Sequence, residues 1–318
     1  RYGIEPDRWL DLSTGIHPVG WPVPAVPPDV WQRLPEENDG LEASAAAYYG
    51  SEALLPVAGS QAVIQALPAF RRPSRVGVIA PSYAEHAAAW QAHGHQVVPL
   101  DPDSVAEWVE DLDVLCLVNP NNPTGHRWSR SRLLEWHERL VARGGWLVVD
   151  EAYGDPTPGL SLIAPEPRPG LVVMRSLGKF FGLAGLRLGF VHAESGMLET
   201  LRERLGPWAV SHPARWVGSR ALADRQWQAE TRDWLAAASR RLTDLLTEAG
   251  QPVTGQTPLF AYCEIPAADR LHDALARQGI LVRHFAHPSA LRFGLPGEED
   301  EWRRLEAALA EAVTEIRG

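Results

Sequence analysis

Ser176-Leu-Gly-Lys179-Phe-Phe-Gly182-Leu-Ala-Gly185-Leu-Arg187-Leu-Gly189 sets a lysine three residues after a serine and eight residues before an arginine, with glycines between them. That spacing suits a lysine amine that forms a Schiff base with an aldehyde cofactor carrying a phosphate. The serine hydroxyl and the guanidinium can both reach a phosphate, the guanidinium through two parallel hydrogen bonds. The glycines let the backbone turn sharply and come close. A buried lysine is also readily shifted toward the lower pKa that a nucleophilic amine needs. Taken in isolation, the stretch has a blander alternative, a basic, glycine-rich surface loop.

Outward from it, residues 57–191 alternate short apolar runs with helical ones. Residues 75–80, 96–100, 114–118, 146–150, 171–175 and 188–191 read as strands, and 83–93, 103–110 and 129–143 as helices. This alternation predicts an α/β fold, a mostly parallel sheet with helices on both faces. Ligands in such sheets sit at the carboxyl ends of the strands. Beyond residue 195 the pattern changes to helical stretches at 196–205, 214–223 and 227–249. Strands at 259–265, 280–284 and 290–293 follow, with helices at 268–278 and 299–316. The expected organisation is a large domain over 41–195 and a smaller α+β domain over 196–318, completed by a proline-rich arm over 1–40.

Five strand ends carry polar or special residues. Val57-Ala-Gly59-Ser60-Gln61 leads into an apolar helix whose first backbone N–H groups can hold an anion; an ordinary helix cap is the default. Tyr83, after Ala80-Pro-Ser, can stack on a flat ring or pack into the core. Asn119-Pro120-Asn121-Asn122-Pro123-Thr124-Gly125 is a rigid turned loop that holds amide side chains at fixed angles. At Asp150-Glu151-Ala152-Tyr153 an apolar strand ends on a carboxylate, which is costly unless paired. Asp150 can pair with a pyridinium N–H and Tyr153 with a phenolic oxygen; a structural ion pair is the alternative. The lysine stretch is the fifth. Together they supply a phosphate cup, a ring stacker, a phenolate partner, a pyridinium partner and a Schiff-base lysine, a set that matches pyridoxal 5′-phosphate.

Composition narrows the partners. The 318 residues are 45% hydrophobic and 22% charged, as in an ordinary globular enzyme. A net charge of −10 argues against nucleic acid. No apolar run is long enough for a membrane span, and the opening Arg1-Tyr-Gly-Ile-Glu-Pro6 is not an apolar leader. Cys116 and Cys263 sit in apolar runs and read as buried thiols of a cytoplasmic protein. No metal site is expected.

The order of motifs resembles the fold-type I pyridoxal-phosphate enzymes of the class I/II aminotransferase superfamily, over nearly the whole chain. The resemblance implies that Lys179 binds the cofactor aldehyde and later moves the proton. It implies that Asp150 pairs with the pyridine nitrogen, Asn122 and Tyr153 with the phenolic oxygen, and that Tyr83 stacks on the ring. Ser60, Gln61, Ser176 and Arg187 are expected to hold the phosphate. Arg292, in Ala290-Leu-Arg292-Phe-Gly294, resembles the substrate-carboxylate arginine, and Arg283 a second substrate arginine. Such enzymes are usually homodimers with active sites at the subunit interface.

Within the superfamily, the opening that includes Ser13-Thr14-Gly15-Ile16-His17-Pro18 resembles the threonine-phosphate decarboxylases of cobalamin biosynthesis, relatives of the histidinol-phosphate aminotransferases. Gly15, Ile16, His17, Asn122, Arg283 and Arg292 are the expected substrate residues. Two positions depart from many relatives, which have Asn at His17 and Tyr at Leu34. The expected reaction is α-decarboxylation of L-threonine O-3-phosphate. Transamination of the histidinol-phosphate type is the alternative, and a non-catalytic ligand-sensing module is a third reading.

Overall fold

The computed structural model describes residues 2–317; Arg1 and Gly318, the ends of the expected arm and small domain, lie outside the described residues. Along the chain the strands are β1 (Leu10–Asp11), β2 (Leu54–Val57), β3 (Arg75–Ile79), β4 (Gln96–Leu100), β5 (Val114–Val118), β6 (Trp146–Asp150), β7 (Leu171–Ser176), β8 (Gly189–His192), β9 (Gly255–Thr257), β10 (Phe260–Glu264), β11 (Ile280–Leu281), β12 (Arg283–Phe285) and β13 (Ala290–Gly294). The helices are α1 (Pro28–Gln32), α2 (Leu41–Tyr49), α3 (Ser60–Ala66), α4 (Ala84–Ala92), α5 (Val105–Trp108), α6 (Arg130–Val141), α7 (Ser195–Leu205), α8 (His212–Ala223), α9 (Arg225–Glu248), α10 (Ala268–Arg277) and α11 (Glu299–Arg317).

Seven strands form one sheet in the order β2-β8-β7-β6-β5-β3-β4. The pairings from β4 to β7 are parallel, and β8 runs antiparallel between β7 and β2. Every residue of β5 and β7 is buried, as strands covered on both faces require. The reversal of β8 decides the site. Its amino end lies at the same sheet edge as the carboxyl ends of β2 and β7, and Gly189 stands opposite both Val57 and Ser176.

The described chain forms two compact units. The larger holds Trp21–Asn122 and His126–Gln228, and the smaller holds the residues up to Gly20, Pro123–Gly125 and those from Ala229 onward. These boundaries differ from the expected divisions after residues 40 and 195. Residues 195–228 join the larger unit because α7 sinks Leu198 and Leu201 into the same core as Val63 and Ile64 of α3. Trp21 joins it through a backbone bond to Phe181 O (2.8 Å) and an indole bond to Asp224 (3.0 Å).

The smaller unit contains an antiparallel sheet, β12-β13-β10-β9, and a parallel pair, β1-β11. The single strand expected over 280–284 is two: Ile280–Leu281 pairs with β1, and Arg283–Phe285 with β13. No helix among the described residues is long and apolar enough to cross a membrane.

Candidate functional site

All nine expected cofactor residues line one cavity of about 140 Å³, and all belong to the larger unit. The parallel strands deliver Asp150 and Ser176 at their carboxyl ends and Asn122, Tyr153 and Lys179 just past them. Ser60 and Gln61 follow β2, and Arg187 precedes β8, which the strand reversal brings to the same edge.

The lysine loop is held by its neighbours. Leu177, Phe180 and Phe181 are fully buried, and Phe181 stacks on Trp227 at 5.6 Å. Gly182, at φ 68°, donates its N–H back to Lys179 O. The half-buried Lys179 Nζ lies 5.6 Å from the centre of the buried Tyr153 ring. Ser176 Oγ accepts the Gly178 N–H at 3.2 Å, so its own O–H can donate into the cavity. Arg187 adopts φ 54°, and its guanidinium rests against Gly59 so closely that a Cβ there would lie 2.6 Å from Nη2.

Asp150 is only 3% exposed and carries two hydrogen bonds on its buried side. Ala152 N–H donates to Oδ1 at 2.9 Å, and His86 Nε2 lies 3.0 Å from Oδ2. The other ring nitrogen of His86 lies 3.3 Å from the Cys116 sulfur. Burial disfavours a charge on His86, but the Cys116 sulfur and the Asp150 carboxylate outweigh it, and its pKa is raised. His86 therefore backs the Asp150 carboxylate with an N–H donor. The sequence reading missed it; the available signal was its place three residues after Tyr83, on the same helical face.

The neighbouring Glu151 points away from the cavity. It pairs with Arg175 at 2.8 Å, and Arg175 also holds Asp155 at 2.5 Å; all three are buried. This cluster anchors the loop after β6. The asparagines likewise separate into two kinds. Asn119 brackets the loop by bonding Trp128 N and O, and Asn121 bonds Pro81 O and Ser82, while Asn122 lines the cavity. Gln61 lines the cavity with the other expected phosphate residues. Its amide accepts from Tyr83 OH (3.2 Å) and donates to Glu85 (3.0 Å), so its side chain orients Tyr83.

The expected substrate residues other than Asn122 lie in the smaller unit. Arg292 is 7% exposed and donates to Ser13 O at 2.6 Å, while Arg283 is exposed. Gly15 is buried and Ile16 half-buried. His17 is buried against Trp234, and its Nδ1 accepts the Gly20 N–H at 2.7 Å. Burial lowers its pKa to about 4. It is neutral near pH 7, with the proton on Nε2, and so is a hydrogen-bond donor rather than a counter-ion for an acid group.

One sequence signal was overlooked: Lys179 is the only lysine in the chain. The donor set around it fits pyridoxal 5′-phosphate. Two serine hydroxyls and a guanidinium suit a phosphate, and the glycine at 59 leaves the guanidinium its place. A buried carboxylate backed by N–H donors suits a protonated ring nitrogen, and the amine suits an aldehyde. Among the described residues no His, Cys, Asp and Glu group is arranged to hold a metal.

Comparison with known proteins agrees with this chemistry. The sequence model of the family Aminotransferase class I and II matches residues 34–310. The chain is 55% identical over 309 residues to the threonine-phosphate decarboxylase of Pseudomonas aeruginosa, covering 97% of this chain and 93% of that protein. It is 42% identical over 321 residues to a Sinorhizobium threonine-phosphate decarboxylase, covering 98% and 94%. The crystal structure of the histidinol-phosphate aminotransferase from Clostridium acetobutylicum matches with a TM-score of 0.83 at 21% identity, over 96% of this chain and 99% of that one. That last match is a likeness of fold.

Proposed function

The chain belongs to the aminotransferase class I and II family, and from that premise we propose that it is a pyridoxal-phosphate-dependent decarboxylase of L-threonine O-3-phosphate. The products are CO2 and (R)-1-amino-2-propanol O-2-phosphate, for cobalamin biosynthesis. The observation that carries this reading is the near full-length identity to two threonine-phosphate decarboxylases.

When bound, the cofactor supplies an electron sink for the pair released as the bond to the carboxylate breaks. Ser60, Ser176 and Arg187 would bind its phosphate, and Gln61 would orient Tyr83 for stacking on the ring. Asp150, backed by His86, would hold the proton on the ring nitrogen. Asn122 and Tyr153 would bond the phenolic oxygen. Lys179 Nζ would be the amine that holds the aldehyde, and it would supply the one proton that replaces CO2 at the α-carbon. One proton enters and one CO2 departs, so the amine product balances the substrate. Arg283 and Arg292 would hold the acid groups of the substrate, and Gly15, Ile16 and a neutral His17 are the further candidates for contact with it. By fixing the acid groups of the substrate, Arg283 and Arg292 would determine which bond at the α-carbon breaks, and so favour decarboxylation over transamination.

The same reading includes a cytoplasmic homodimer. Trp208 and Pro35 line a groove of about 690 Å³, and Leu34 and Trp31 are exposed. These apolar groups suit a second copy of the chain. Cys116 and Cys263 are buried free thiols, which suits a reducing compartment.

The test is incubation of the cofactor-loaded protein with L-threonine O-3-phosphate. One CO2 per amine formed, over many turnovers, is expected. No CO2, with an amino group passed from glutamate instead, would make the protein a transaminase. Because Lys179 is the only lysine, borohydride reduction should place the cofactor on one side chain, and Lys179→Ala should lose both label and turnover.

A further inference from the structure

The four-stranded sheet of the smaller unit carries a row of side chains that the scheme above uses only in part. Arg283 of β12 stands directly opposite Arg292 of β13, which in turn stands opposite Tyr262 of β10. Directly opposed residues on antiparallel neighbours project from one face, with Cβ atoms roughly 4.5–5.5 Å apart. Two guanidinium side chains and a phenol therefore share that face. Aromatic rings flank them. Arg292 lies over Phe260 at 5.2 Å, while Phe285 lies 5.9 Å from the Arg283 guanidinium and meets Tyr262 edge-on at 5.9 Å.

Two features of this row are unfavourable for the chain alone. Like charges directly opposite each other destabilise a sheet. Tyr262 is 1% exposed, and its hydroxyl has no hydrogen-bond partner among the described residues. Native cores rarely leave such a group unmatched, because its lost hydration is not replaced. Burial, with Glu264 and Cys263 adding to it, pushes the Tyr262 phenol up to about 12, so the hydroxyl keeps its proton and can donate. A bound oxyanion removes both defects, since it neutralises the arginines and accepts from the phenol.

We propose that the Tyr262 hydroxyl is a third donor to the substrate oxyanion held by Arg292 and Arg283, making Tyr262 a substrate-binding residue. The inference rests on the reading that these arginines take an acid group of the substrate. It explains why a phenol, rather than a phenyl ring, occupies a fully buried strand position.

The test is Tyr262→Phe in the cofactor-loaded enzyme. KM for L-threonine O-3-phosphate should rise about tenfold, the size of a modest hydrogen bond to a charged group. The thermal midpoint measured without substrate should stay level or rise, because an unmatched buried polar atom has been removed. A hydroxyl with a purely structural role gives the reverse pair of results. An unchanged KM, or a lowered midpoint, overturns the inference. Arg292→Lys is measured in parallel. If it leaves KM unchanged, the reading of the arginines fails; if it raises KM while Tyr262→Phe does not, Tyr262 alone fails. Inhibition by inorganic phosphate and by acetate then identifies the acid group concerned. Weaker inhibition by one of them in Tyr262→Phe supports the inference, and no change for either counts against it.

Discussion

Replacing Gly59 with alanine should damage the site by two separable routes. Gly59 sits at φ 74° and ψ 162°, a region essentially reserved for glycine, so any side chain there costs about 1–3 kcal/mol of stability. The added Cβ would also lie 2.6 Å from Arg187 Nη2 and 3.2 Å from its central carbon. To regain ordinary contact at 3.4 Å, Nη2 must retreat by 0.8 Å. A charge-assisted bond of about 2.7–2.9 Å to a phosphate oxygen does not survive that displacement. Losing it removes about 1.5–3 kcal/mol, or roughly 10- to 150-fold in cofactor affinity. Denaturant unfolding of the cofactor-free chain reads the backbone cost, and equilibrium dialysis against pyridoxal 5′-phosphate reads the affinity. The two routes separate in an Arg187→Ala background. There the stability loss should persist, while Gly59→Ala should cost almost no further affinity. If the two affinity losses simply add, the steric link between Gly59 and Arg187 is refuted.

Two further outcomes follow from buried charge. Arg175→Met strands Glu151 and Asp155 without their shared cation and should cost about 3–5 kcal/mol; a loss below about 1 kcal/mol in urea unfolding would show that the cluster does not anchor the loop after β6. His17 has a folded-state pKa of about 4 against an ordinary 6.5, so the unfolded chain takes up its proton first. The stability from His17 is complete above about pH 6.5 and falls as the pH drops toward 4, by up to about 3 kcal/mol. His17→Asn should flatten that part of the stability–pH curve, and an identical curve for both chains would reject the assignment.

The nine residues that line the cavity were legible because each sits beside a local signal. Alternating apolar runs mark where strands stop, and in a parallel sheet those ends converge on one edge. Asp150, Ser176 and Lys179 could thus be assigned from their own neighbourhoods, and the helix starting at Ser60 from its preceding glycine. The elements without a period were not legible. β1 is two residues long and exists because β11 lies beside it. The helix α2, fully buried at Leu41 and Ala45, follows an arm with no repeating pattern.

Linear order and local chemistry therefore specified the cofactor, the lysine, the strand ends and the family. Tertiary structure alone decided how those groups are used. It reversed β8 and brought Arg187 to the cavity, and it paired His86 with Asp150 across 64 residues. It spent the amides of Asn119, Asn121 and Gln61 on holding loops and Tyr83, and it set Tyr262 in register with two arginines. The physical reason is range. Propensity and periodicity act over a few neighbouring residues, whereas register, burial and the pairing of buried polar groups depend on segments that only the folded chain brings together.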